Sequence, residues 1–156
     1  MFIHSDLGFL LGEEGRLSDA ARAFQAAIAL GGDHPALSQL WFNLGFTHHR
    51  GGDAPTALAA FKQSVATAAS PSDAMQPLIK CAFISKQMGD LSATVGFLQR
   101  ALEIAPGGGS LWGYLGETLN NLKRWNEAVA AYTKAVDADP RNGELRLQLG
   151  DTLMNM

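Results

Sequence analysis

The residues that could do covalent or metal chemistry are few and do not converge. Four histidines stand in a chain of 156 residues: His4, His34, His48 and His49. Imidazole is the commonest metal ligand and general base, but His48 and His49 are adjacent and point about 100° apart on a helix, so they cannot face one ion together. The carboxylates are scattered, and Glu13 and Glu14 fall at a predicted helix end, where a solvated face is the default. Cys81 is the sole cysteine; it has no internal disulfide partner and no matched base, and reads as a small core hydrophobe. Gly107, Gly108 and Gly109 are not followed by the Lys-Ser/Thr of a phosphate loop. No Gly-x-Ser-x-Gly, His-Glu-x-x-His or Cys-x-x-Cys occurs. The reading is therefore of a non-enzyme with no catalytic residue, metal or cofactor. The chemistry left is noncovalent, and it centres on phenylalanines spaced three and four residues from polar side chains, as in Phe42, Phe46, His49 and Arg50.

The elements that would position these residues recur along the chain. Gly8, Gly45, Ala82, Gly116 and Gly150 are separated by 37, 37, 34 and 34 residues. Gly15, Gly52 and Gly89 are each 37 apart and mark turns. The best-formed copy carries Trp112, Leu115, Gly116 and Leu119, then Ala128, Tyr132, Ala135 and Pro140. Small residues at Gly116, Ala128 and Ala135 let two helices approach, and the large ones fill the grooves around them. Pro140 stops the second helix.

This pattern resembles the tetratricopeptide (TPR) repeat, W-x2-L-G-x2-Y, A-x3-F and P within about 34 residues. Its departures are Leu119 for Tyr and Tyr132 for Phe, both apolar and large. The resemblance covers nearly the whole chain and implies an all-α, right-handed α-solenoid of helix pairs. The repeats are expected at about 1–34, 38–71, 75–108 and 109–142, as a single array over residues 1–156 with a terminal helix at 143–156. The extra three residues of the long periods are expected in loops. Ser18 is expected to cap the second helix, and Pro35 to open the third. Pro77 implies a late helix start or a kink. Gly107–Gly109 is expected to be a hinge. Apolar residues at both ends (Phe2, Ile3 and Leu10; Leu145, Leu147, Leu149, Leu153, Met154 and Met156) suggest a piece of a longer array, or self-association.

In the TPR family the first helices of successive repeats line a concave groove that holds ligands. The resemblance therefore turns Phe42, Asn43, Phe46, His49 and Arg50 inward in copy two. The Phe46 slot reads Phe9, Phe46, Phe83, Glu117 and Asp151, and the Phe42 slot reads Ser5, Phe42, Ile79, Gly113 and Leu147. The first three copies thus present an apolar ladder flanked by His49, Arg50, Lys80 and Lys86, and the last two an acidic end. The other arrangement is that these phenylalanines pack among themselves or under the next helix. The carboxylate clamp of chaperone-tail binders is largely missing, with Ser5, Phe9, Phe42 and Phe46 in its slots and only Asn43 and Lys80 similar to it. The asparagine ladder of arrays preceding sugar-transferring enzymes is also broken, since the Asn43 slot reads Asp6, Asn43, Lys80, Tyr114 and Gln148.

Composition narrows the partners. A content of 47% hydrophobic and 17% charged residues suits a folded domain. A net charge of −3 speaks against a nucleic-acid surface. No apolar run is long enough to span a membrane, and a lone cysteine fits a reducing, cytoplasmic setting. The expected function is a protein-interaction module that takes an apolar or amphipathic segment of a protein or peptide in its groove. The rival is the non-catalytic repeat region of a larger enzyme, such as a bacterial transferase, positioning a substrate or partner domain.

Overall fold

The structure, a computed structural model, describes residues 1–32 and 34–155. Asp33, within the first extra length, and Met156, counted with the apolar C-terminal residues, lie outside the described residues. Among the described residues there are nine helices and no strand. In order they are α1 (Phe2–Glu13), α2 (Leu17–Gly31), α3 (Leu37–Arg50), α4 (Ala54–Ala66), α5 (Pro71–Gln87), α6 (Leu91–Ile104), α7 (Gly109–Asn121), α8 (Trp125–Ala138) and α9 (Gly143–Met154). The chain divides into two compact units, Met1–Ile84 and Ser85–Met156.

In the first unit α1 packs on α2, α2 on α3, and α3 on α4. The recurring glycine explains the closeness of each pair. A Cβ on Gly8 would lie 2.8 Å from the Phe24 ring, and one on Gly45 would lie 3.0 Å from Phe61. In the second unit, where α6, α7, α8 and α9 pack in sequence, a Cβ on Gly116 would lie 2.8 Å from Tyr132. In each case a buried aromatic sixteen residues downstream occupies the space a side chain would need. Copy three fills the same two slots with Ala82 and Leu98, a larger small residue and a smaller large one, and both are buried.

Two glycines of the second unit should therefore respond in opposite ways. Gly116→Ala forces the fixed Tyr132 ring to shift, and overpacking of this kind costs about 1–3 kcal/mol. That exceeds the helix-propensity gain of about 1 kcal/mol. Gly96, inside α6, has nothing within 4 Å of its Cβ position, so Gly96→Ala keeps the gain. Urea denaturation should show the first variant less stable and the second more stable than the parent. Equal shifts would contradict the packing account.

The turns between paired helices need a left-handed residue. Gly15, Gly52 and Gly89 have φ of 78°, 81° and 81°, and the same slot in copy four is held by Lys123 at φ 58°. Only glycine takes this conformation without a Cβ penalty.

Several local expectations give way to the structure. The N-cap of α2 is Arg16 rather than Ser18; Ser18 lies in the first turn, and Arg16 instead pairs with Asp19 at 2.7 Å. Pro35 lies in the turn before α3, which starts at Leu37. Of the first extra length, residues 34–36 lie between α2 and α3, but the second is not in a loop. It forms an additional first turn of α5, capped by Ser70, whose Oγ accepts the Asp73 amide at 3.3 Å and donates to its carboxylate at 2.8 Å. Pro71 supplies the preformed first position. The helix starts early, and Pro77 falls in its interior.

The unit boundary falls within α5, not at Gly107–Gly109. Across those glycines α6 and α7 pack directly, and Gly108 and Gly109 sit close to neighbours while Gly107 meets nothing. Gly109 sits where a Cβ would come 2.9 Å from that of Ala138. Trp112 Nε1 donates to the Pro106 carbonyl at 2.7 Å, and Lys134 lies over the Trp112 ring at 4.1 Å.

Apolar side chains are exposed at both ends of the chain. Phe2, Ile3 and Leu10 on α1, and Leu147, Leu153 and Met154 on α9, are all exposed. Leu7 is exposed as well, although Leu44 and Leu115 in the same repeat slot are buried.

Candidate functional site

The predicted inward side chains of the first unit fall into two neighbouring sets. Phe9, Asn43, Phe46 and Arg50 line one cleft of about 190 Å³ between α1 and α3. Its floor is Gly8, Gly12 and Phe24, and the glycines leave room for it. Phe9 packs edge-on against Phe24, with ring centroids 5.4 Å apart, yet remains 50% exposed. Phe46 is 44% exposed. Phe83 is also exposed, and His49 packs on it with centroids 5.9 Å apart. Phe42 behaves differently: it is half-buried and set against the core ring of Phe61 at 5.2 Å. The ladder is thus an exposed row of Phe9, Phe46 and Phe83, with Phe42 partly withdrawn into the core. Ile79 and Lys80 are half-buried, and neither they nor Phe83 line the cleft that holds Phe46.

Polar groups in the cleft are specific. Asn43 Oδ1 accepts from Gln39 at 2.9 Å, while its Nδ2 is buried without a partner. A buried amide donor left unpaired costs about 1–3 kcal/mol. Arg50 is exposed and reaches back to the Gly12 carbonyl at the end of α1, at 3.0 Å. One end of its guanidinium is anchored, and the rest stands at the rim.

In the second unit the predicted Lys86 and Glu117 come together. Lys86 Nζ is 2.7 Å from Glu117 Oε1 and 4.8 Å from the centre of the Tyr114 ring. Lys86, expected to flank the ladder, is engaged by an aromatic face and a carboxylate. Burial, with the Glu117 charge nearby, raises the Tyr114 hydroxyl above its usual pKa, and the same two causes push buried Tyr132 up to about 12. Asp151 is exposed on α9. Among the described residues no three metal-ligating side chains gather, and no helix is long and apolar enough to cross a membrane. Cys81 is fully buried, as expected of a core hydrophobe.

Family comparison fits the repeat geometry. Family models described as tetratricopeptide repeat match residues 2–70 and 96–143. This chain belongs to the tetratricopeptide repeat family. The TPR assignment extends to solved structures. A tetratricopeptide repeat protein from Parabacteroides merdae superposes with a TM-score of 0.83 at 17% identity, over 97% of this chain and 59% of that one. MamA from Desulfovibrio magneticus gives 0.76 at 15%, over 98% and 83%. YrrB, described as a TPR protein with an unusual peptide-binding site, gives 0.77 at 15%, over 97% and 75%. At such identities the likeness is one of fold, and the fold class is that of the all-α TPR solenoids. No curated protein sequence matches the chain.

Proposed function

We propose that this TPR chain is a protein-interaction module, and that its first unit binds an apolar or amphipathic segment of a protein partner along the row Phe9, Phe46 and Phe83. The observation that carries the reading is the exposure of three phenylalanines in one repeat slot, at 50%, 44% and 43%, beside the unpaired Asn43 amide. Large apolar side chains exposed in register mark binding surfaces. Lys80 and Arg50 favour carboxylates on that segment. A cytoplasmic setting belongs to the same proposal.

The test is covalent capture. A photo-crosslinking residue at position 46 should trap a partner in cells, identifiable by mass spectrometry, while the same group on exposed Gln25 of α2 should not. Equal trapping at both positions would refute the groove.

A second reading is favoured by the exposed apolar residues of α1 and α9: copies associate through these ends, or a further part of a larger protein, such as a bacterial transferase, covers them. Sedimentation of a strict monomer at high concentration would rule out self-association.

A further inference from the structure

The extra turn of α5 does more than absorb three residues. With Pro77 it builds a second cleft in the first unit, of about 410 Å³, between the starts of α3 and α5 and beside Ser64 of α4. That volume lies in the range of small-ligand sites. Its walls include Pro35, Phe42 and Pro77, which are flat and apolar. Its polar lining includes the acceptors of Asp73 and Gln39 beside the side chains of Ser72 and Gln76. Among the described residues Asp73 is the only charged side chain that lines it, and that carboxylate is exposed and held through Oδ2 by Ser70. Pro77 has no amide hydrogen, so the Asp73 carbonyl lacks its usual helical donor. Gln39 uses one Nε2 hydrogen on Asn43, and its side-chain oxygen is an acceptor it can offer. Ser38 and Ser64 satisfy each other across the helices, each hydroxyl donating to the other's carbonyl at 2.8 Å.

We infer that this cleft is a side-chain pocket for a cation, and for arginine in particular, on the segment bound by the neighbouring phenylalanine row; the inference rests on the groove reading above. A guanidinium is planar, weakly hydrated and rich in donors. It stacks on aromatic faces and forks onto carboxylates, whereas a lysine ammonium is a compact, strongly hydrated charge. Phe42 and the prolines supply the stacking surface, and Asp73 and the two acceptors the fork. Among the described residues no Lys, Arg or His lines the cleft to compete. Phe42, which shares its helix with Phe46, connects the pocket to the row.

The probe is N-acetyl-arginine methylamide, titrated into the isotope-labelled full chain and followed by amide chemical shifts. Shifts should cluster at residues 38–42 and 70–77 and saturate at millimolar concentration. The norleucine analogue should bind about fivefold or more weakly, and Asp73→Asn should weaken the arginine probe by a similar factor. Gln76→Arg places a guanidinium one helical turn from Asp73 and should abolish the response by filling the pocket from within. Circular dichroism on each variant reports that α5 has folded. An arginine probe that shifts no resonance in the pocket, that binds no better than norleucine, or that ignores Asp73→Asn overturns the inference. Phe46→Ala should leave the probe's binding unchanged. A working pocket in a chain whose partner ignores Phe46→Ala would refute the groove alone. A silent pocket in a chain whose partner needs Phe46 would refute the pocket alone.

Discussion

Phe61→Ala is expected to cost the first unit about 3–5 kcal/mol of stability, the range for truncating a buried phenylalanine. Phe61 is 1% exposed, its ring lies against the Gly45 backbone, and Phe42 packs on it edge-on at 5.2 Å. Gly45 has no side chain to move into the vacated space, so relaxation is limited and the upper part of the range applies. Contact between the two positions makes a sharper test. Gly45→Ala alone should destabilise, because its Cβ would lie 3.0 Å from Phe61. In the Phe61→Ala background the same change should stabilise, since the methyl group enters a cavity and glycine's helix penalty of about 1 kcal/mol is removed. Urea unfolding of the four proteins gives the coupling directly. Additive effects would mean that the glycine is not reserved for the ring.

Phe46→Ala is expected to do the reverse: spare the fold and damage binding. Taking about 200 Å² for a phenylalanine side chain, the exposed 44% comes to about 90 Å². Covering it is worth about 2 kcal/mol. Aromatics near the middle of an interface commonly dominate its energy, so affinity for the captured partner should fall at least about tenfold, or about 1.4 kcal/mol. Thermal stability should fall far less than in Phe61→Ala. Titration calorimetry and thermal melts of the two variants separate the outcomes. If Phe46→Ala melts the chain as badly as Phe61→Ala and spares affinity in what stays folded, the row is core.

The fold was legible because its determinants are local and repeated. Gly8, Gly45 and Gly116 each precede an aromatic by sixteen residues, a spacing that survives any reading of helix ends. Gly15, Gly52 and Gly89 announced their turns for the same reason, whereas Lys123 did not, because lysine carries no signal for a left-handed backbone. Helix ends were harder. Ser70 and Asp73 with Pro71 between them are a start signal, but the repeat ruler favoured a later start for α5. The cleft beside Asp73 depends on that extra turn and was invisible from spacing alone.

The candidate site was legible as a set of slots and not as a surface. Slot reasoning places Phe9, Phe46 and Phe83 alike, and all three are exposed. It could not separate Phe42 from them, since the ring's turn toward Phe61 is a tertiary choice. Nor could it see that Lys86 would be drawn onto Tyr114 and Glu117: thirty-one residues separate Lys86 from Glu117, and only the fold brings them together.

The most direct test of the central claim, that the phenylalanine row is the binding surface, is to pan a peptide library on the immobilised chain and measure the enriched peptides against Phe46→Ala. The account predicts apolar or amphipathic sequences whose affinity falls at least about tenfold in the variant, with the melting temperature nearly unchanged. Enriched peptides that bind the folded variant as tightly as the parent would contradict it.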